Sequence, residues 1–161
     1  MLSLCAWESL KVFLQEVIPE KNPVPGAVIA IQTFGDFLMV YYLRRKDGTM
    51  EIESSGTLVE RDGTSRHLRL AELETTVLSY WKSNKSAGRY PAAWRIRVDS
   101  AAIDVTVNPL VAGQELITTS STSITYWEGA VAGKGTPQEK EAAVEGYVEL
   151  TGYAGTLGGI F

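Results

Sequence analysis

The spacing of hydrophobic positions changes once along the chain. Between residues 4 and 18 the apolar side chains recur at helical spacing, and Pro19 ends this pattern. From residue 26 onwards, short stretches alternate apolar and polar residues, most regularly in AAWRIRV (92–98) and AAIDVTV (101–107). Turn signals separate these stretches, and Asp47-Gly48 is typical of a tight hairpin. The pattern predicts an N-terminal helix followed by a succession of antiparallel strands.

Strands of this kind, each with one apolar face, form either a sandwich or a barrel. An up-and-down barrel fits the short links best, and a closed barrel has no open sheet edge. We therefore predict an all-β fold, an antiparallel up-and-down β-barrel of about eight strands with an N-terminal helix, which is wide enough to hold one small ligand. The expected units are residues 1–25, a helical lid and connector, and residues 26–161, the barrel.

Composition narrows the classes of function. The chain has 161 residues, which suits one domain, and a net charge of −4 without a basic cluster, which argues against nucleic-acid binding. No apolar run is long enough for a membrane span. Cys5 and His67 are single, so neither a disulfide nor a four-ligand zinc site is expected, and no phosphate loop or dinucleotide fingerprint is present. We expect a cytoplasmic protein without metal or cofactor, whose partner is an apolar small molecule.

Aromatic residues concentrate where a cavity wall is expected. Most apolar stripes form a filled core, so a packed interior is one interpretation. The functional interpretation is an aromatic pocket with a few polar groups, as in most small-molecule sites. The predicted cavity residues are Met39, Tyr41, Trp81, Trp94 and Tyr126, and the predicted polar groups are Gln114, Glu115 and Glu128.

Two glutamates on the last two predicted strands form a further candidate. Glu128 and Glu149 lie where cross-strand contact is expected. If two carboxyl groups share a dry site, one stays protonated and acts as an acid. The alternative is that Glu149 faces water and pairs with a lysine or with Arg95 or Arg97.

Six short motifs occur in an order and spacing that are typical of a known family. They are LRRKDG (43–48), WKS (81–83), YPAAW (90–94), QEL (114–116), YWEGAV (126–131) and GYVELTGY (146–153). On these motifs, residues 29–154 resemble the carotenoid 1,2-hydratase/hydroxyneurosporene synthase family, the AttH-like group of lipocalin-like proteins. The resemblance implies a lipocalin-like barrel that holds a long apolar, often polyunsaturated metabolite. It covers the second of the two barrels that members usually carry.

The N-terminal region departs from that family. Residues 12–32 lack the histidine, aspartate and tryptophan expected where a hydratase would keep its proton donor. A single barrel with a helical lid is also similar in architecture to the Diels–Alder cyclases of spirotetronate and tetronate polyketide assembly. The leading hypothesis is therefore a cofactor-free cyclase or isomerase of a bulky apolar polyketide or polyene in antibiotic-type secondary metabolism. Such an enzyme gains rate by holding one substrate conformer.

In this hypothesis, three residues act as catalytic groups and three residues of the N-terminal helix act as a lid. The catalytic groups are Glu128, Tyr126 and Gln114, and the lid residues are Trp7, Phe13 and Leu14. The same apolar N-terminal segment also suits a homodimer contact. Two other functions stay open: a carotenoid-type hydratase with Glu128 or Glu149 as its acid, and a non-catalytic carrier of an apolar metabolite.

Overall fold

The computed structural model describes residues 26–32, 36–45, 47, 49–118, 124–136 and 140–154. The predicted N-terminal helix, with Trp7, Phe13 and Leu14, lies outside the described residues. Within these ranges, no helix is long and apolar enough to cross a membrane.

The described residues form ten strands and two short 3₁₀ turns. The turns are Leu70–Glu72 and Asp99–Ala101. The strands are β1 (Gly26–Gln32), β2 (Phe37–Leu43), β3 (Ser55–Val59), β4 (Ser65–Arg69), β5 (Glu74–Lys82), β6 (Arg89–Val98), β7 (Ile103–Pro109), β8 (Glu115–Ile117), β9 (Thr125–Gly135) and β10 (Ala142–Thr151).

All strands belong to one antiparallel sheet in the order β4-β3-β2-β1-β10-β9-β7-β6-β5, and β8 pairs with β9 beside this path. Two meanders join in the middle, where β1 pairs with β10 from Gly26↔Thr151 to Gln32↔Glu145. The predicted all-β antiparallel fold is therefore confirmed, with ten strands instead of about eight.

The predicted closed barrel is wrong. β4 and β5 are the two ends of the sheet and do not pair with each other. The curled sheet is therefore a half-barrel with a gap between these end strands. The Leu70–Glu72 turn leads the chain from β4 toward the concave side, where the Thr75 hydroxyl of β5 meets the Tyr42 hydroxyl of β2 at 2.5 Å. This side-chain contact links β5 to β2 across the concave side, and no backbone pairing joins β4 to β5 among the described residues.

Alternation gives the sheet two distinct faces. The concave side, here called the inner face, carries the core residues Ile29, Val40, Trp94 and Trp127. The rings of Trp94 and Trp127 lie 6.4 Å apart between centroids. The opposite side, here called the outer face, carries the residues that alternate with the core residues along each strand. Strand β6 follows the predicted phase, with Trp94 buried inside and the Arg95 guanidinium bonded outside to Asp104 at 2.6 and 2.8 Å.

Candidate functional site

The outer face in the middle of the sheet is half-buried, although it lies opposite the core. One cross-strand row runs from Glu128 through Glu149, Val28 and Tyr41 to Ser55. A neighbouring row joins Tyr147, Ala30 and Met39. Ala30 and Ser55 are buried, and the others in these rows are half-buried. The outer face therefore combines carboxyl, phenol and apolar groups in a partly dry surface.

Two carboxyl groups stand opposite each other on this face. Glu128 of β9 and Glu149 of β10 are register partners, which confirms their predicted cross-strand contact. Directly opposed side chains have Cβ atoms about 5 Å apart. None of the ion pairs among the described residues includes Glu149, and Arg95 and Arg97 pair with Glu74, Asp99 and Asp104 instead. The alternative of a solvent-facing salt bridge for Glu149 is therefore wrong for the described part of the chain.

The surroundings of the pair favour one protonated carboxyl. Burial, and then the charge of Glu128, raise the pKa of Glu149. Tyr147 donates a hydrogen bond to Glu128, and burial together with the charge of Glu128 raises the pKa of this phenol. Burial and the charges of both glutamates raise the pKa of Tyr126. The arrangement offers a proton donor and a proton acceptor side by side, with neutral phenols around them.

Four predicted site residues come together on this outer face: Met39, Tyr41, Tyr126 and Glu128. Tyr41 accepts a hydrogen bond from the Ser55 hydroxyl. These four residues do not line one interior with Trp94, because Leu38, Val40 and Tyr42 occupy the inner positions of β2. The strand FLMVYYL is apolar in both phases, so its sequence alone does not indicate which phase faces the core.

Glu115 lies on the other side of the sheet and holds a loop in place. Its carboxylate accepts hydrogen bonds from Ser83 Oγ at 2.5 Å, from Tyr90 Oη at 2.9 Å and from Ser86 Oγ. Burial alone would raise the pKa of Glu115, but these hydrogen bonds, with Ser83 first, bring the pKa below its usual range. Ser83 Oγ in turn accepts the backbone N–H groups of Lys85 and Ser86. The hydrogen bonds of Glu115 therefore hold the 83–88 loop and join it to Tyr90 of β6.

Gln114 and Trp81 belong to the same packed region. Gln114 Nε2 donates to the Val111 carbonyl at 2.9 Å, and its side chain covers Gly129 so closely that a Cβ there would lie 1.9 Å from Nε2. The ring of Trp81 stacks on Tyr90 with centroids 5.9 Å apart. The motifs WKS, YPAAW, QEL and YWEGAV thus meet in one structural cluster, a convergence that their separate positions in the sequence do not show.

The inner face also borders a cavity of about 220 Å³. Trp94 lies beside it, together with Ile29, Tyr42, Thr75 and Val77. Of the predicted cavity residues, Trp94 is the one in this lining. Tyr126 lies on the opposite face of the sheet, because its neighbour Trp127 points inward.

Comparisons with known proteins support the fold and the family. The crystal structure of an AttH protein from Nitrosomonas europaea matches with 29% identity and a TM-score of 0.71, covering 83% of this chain and 40% of that chain. Kievitone hydratase from Nectria haematococca matches with 18% identity and a TM-score of 0.66 over the same shares, which shows likeness of fold alone. The chain thus spans about 40% of the length of both proteins. A search of curated proteins gives no match.

The narrower likeness to carotenoid hydratases or to Diels–Alder cyclases is not confirmed by these comparisons. The AttH-like family profile matches residues 32–153, about three quarters of the sequence. The chain therefore belongs to the AttH-like family.

Proposed function

We propose that this chain takes part in adding water to, or removing it from, a carbon–carbon double bond of an apolar metabolite. Glu149 is the general acid and Glu128 is the general base. The observation that carries this proposal is the pair itself: two carboxyl groups opposed on adjacent strands of a half-buried face. General acid–base catalysis needs a protonated donor and an ionised acceptor within reach of one substrate.

The proposed reaction balances with these two groups. The Glu149 carboxyl gives its proton to one carbon of the double bond, and the other carbon develops positive charge. A water molecule adds its oxygen there and loses a proton to Glu128. The product has gained one H and one OH, and solvent restores the two carboxyl groups to their starting states. Removal of water follows the same steps in reverse.

The outer face also offers a surface for the substrate. Val28, Ala30 and Met39 lie beside the carboxyl pair and provide apolar contact. Tyr126 flanks the pair, and its neutral phenol can donate a hydrogen bond to a polar group of the substrate, whereas Tyr147 donates its proton to Glu128. The similarity in fold to kievitone hydratase supports a hydratase reaction, although that protein is 18% identical and longer than this chain.

The cyclase hypothesis stays a prediction with less support. Its lid residues lie outside the described part of the chain. Gln114 and Glu115, two of its polar groups, form hydrogen bonds within the protein instead of pointing together into a cavity. By contrast, the opposition of Glu128 and Glu149 on adjacent strands supports acid–base chemistry.

Isotope incorporation tests the proposed reaction. The 161-residue chain is incubated with kievitone and, separately, with an acyclic carotenoid in ¹⁸O-labelled water, and products are examined by mass spectrometry. We expect a product heavier by one labelled water, and we expect Glu149→Gln and Glu128→Gln each to lower kcat by about a hundredfold or more. Glu145→Gln is the matched control, since Glu145 is exposed and lies on the same strand and face.

The pH dependence gives a second readout. Because the pKa of Glu149 is raised, the rate should fall as pH increases through that pKa. The folded state also binds a proton more tightly than the unfolded chain does, so this carboxyl makes stability highest below its unfolded pKa and lower as pH rises through the folded pKa. Glu149→Gln should remove that decline. A product without the label, or a Glu149→Gln variant as active as Glu145→Gln, would contradict the proposal.

A further inference from the structure

We propose that the cavity on the inner face is a separate binding site for a small apolar carboxylate, with Arg44 as the group that recognises the acid. This inference goes beyond the proposed hydratase and does not depend on it, because the cavity and the glutamate pair lie on opposite faces of the sheet.

The cavity has a dry end and an open end. Trp94 and Ile29 form its deep wall and are 2% and 1% exposed, whereas Met50 at the other end is 44% exposed. The lining also includes Val77 and Leu73. A ligand therefore enters beside Met50 and places its apolar part against Trp94.

Arg44 is held at the open end by the hairpin that the LRRKDG motif begins. A backbone bridge joins Arg44 to Met50, so both residues line the cavity from the same end. The Arg44 guanidinium carbon lies 4.3 Å from the centre of the Tyr153 ring. Gly152, with a φ of +74°, turns the chain after β10 and brings Tyr153 to this position. A guanidinium can stack on a ring and still donate its N–H groups at its edge.

The charge of Arg44 is available to a ligand. Its neighbour Arg45 pairs with Glu51 at 2.8 Å, but none of the ion pairs among the described residues includes Arg44. None of the described lining residues is acidic. The other polar groups in the lining are the hydroxyls of Tyr42 and Thr75, which share a hydrogen bond of 2.5 Å, and the hydroxyl of Tyr153, whose ring stacks with Arg44. A positive group at the open end of an apolar cavity favours an anion with an apolar body.

The volume limits the size of this ligand. An apolar cavity of about 150 Å³ holds benzene. A cavity of about 220 Å³ suits a single ring or a medium-length alkyl chain, and it is too small for a long polyene. Octanoate, which has one carboxylate and a short flexible chain, is therefore a suitable probe.

Calorimetric titration compares octanoate with two molecules of the same chain length, octanol and octylamine. We expect saturable binding of octanoate, at least tenfold weaker binding of octanol, and no measurable binding of octylamine, since a charge-assisted hydrogen bond contributes about a factor of ten or more. Arg44→Met should weaken the binding of octanoate at least tenfold and leave the binding of octanol unchanged. Arg44→Lys should keep most of the affinity for octanoate. Arg45→Met is the matched control and should bind octanoate like the unmodified chain.

A cavity-filling variant tests the position of the apolar part. Val77→Phe places a ring in the lining and should abolish binding of both octanoate and octanol, with circular dichroism used to check that the variant folds. If it does not fold, chemical-shift changes of Trp94 and Val77 in the unmodified chain replace this test, and octanoate should shift both. Equal affinity for octanoate and octanol, retention of octanoate binding by Arg44→Met, or no saturable octanoate binding at millimolar concentration would overturn the proposal.

Discussion

Glu115 and Glu149 have the same side chain but opposite electrostatic surroundings. Ser83, Ser86 and Tyr90 donate hydrogen bonds to Glu115, whereas Glu149 faces the charge of Glu128. The pKa of Glu115 is therefore lowered and that of Glu149 is raised. The sequence indicated both residues as candidates for a site, but it gave no means of separating them. Their partners come from strands and loops that only the folded topology brings near.

Replacing Glu115 tests its role as the anchor of the 83–88 loop. In Glu115→Gln, the amide cannot accept all three hydroxyl donors, and we expect a loss of about 1–3 kcal/mol in the free energy of unfolding at neutral pH. Since the folded pKa of Glu115 is lowered, its contribution is present above the unfolded pKa and is lost as pH falls through the folded pKa. Urea unfolding at pH 7 and at pH 3 should therefore show a smaller difference between the variant and the unmodified chain at pH 3.

The exposed Glu145→Gln variant is the control for Glu115→Gln and should keep the stability of the unmodified chain at both pH values. Equal stability of Glu115→Gln and Glu145→Gln at neutral pH would show that the loop does not need this carboxylate.

At the scale of strands, the regularity of alternation decides what can be read from the sequence. Strand β6 alternates large apolar residues with arginines, and its inner phase matches the prediction. Strand β2 is apolar at nearly every position, so alternation does not indicate which phase is inside. The end of β9 is also hard to predict, because residues 133–135 are two glycines and a lysine, a composition typical of a loop. The structure continues β9 to Gly135, since this segment pairs with β7.

Gly133 shows why that strand end contains glycine. A Cβ at Gly133 would lie 1.8 Å from the Thr106 carbonyl oxygen of β7, and backbone atoms cannot move aside as a flexible side chain can. We expect Gly133→Ala to lower the free energy of unfolding by about 3 kcal/mol through overpacking between β7 and β9. Chemical denaturation measures this loss.

The matched control for Gly133→Ala is Gly113→Ala, where the new Cβ would meet Trp81 at an ordinary contact of 3.5 Å. This control should change stability by no more than about 0.5 kcal/mol. If both alanine variants unfold at the same denaturant concentration, the close approach of β7 and β9 does not explain the glycine.

At the scale of the whole molecule, the predicted antiparallel meander is confirmed, whereas the predicted closure into a barrel is wrong. Closure depends on strand number, tilt and stagger together, and no local pattern reports these quantities. Open edges are tolerated when they are short, charged or bulged. Strand β4 has five residues and carries Arg66 and Arg69, and β5 has irregular pairing between Val77 and Tyr80. The half-barrel therefore protects its edges without joining them.

In place of backbone pairing, side-chain hydrogen bonds connect the two halves of the sheet, β1–β4 and β5–β10: Arg66 donates to Ser100, and Tyr42 and Thr75 share a hydrogen bond. We expect Tyr42→Phe and Thr75→Val each to lower stability by about 1 kcal/mol, and the double variant to cost little more than either single change, because both remove the same bond. Hydrogen exchange should become faster in β5 in all three variants. Tyr80→Phe is the control, since Tyr80 is exposed. Additive losses in the double variant would mean that the two hydroxyls act separately and that their hydrogen bond does not hold the two halves of the sheet together.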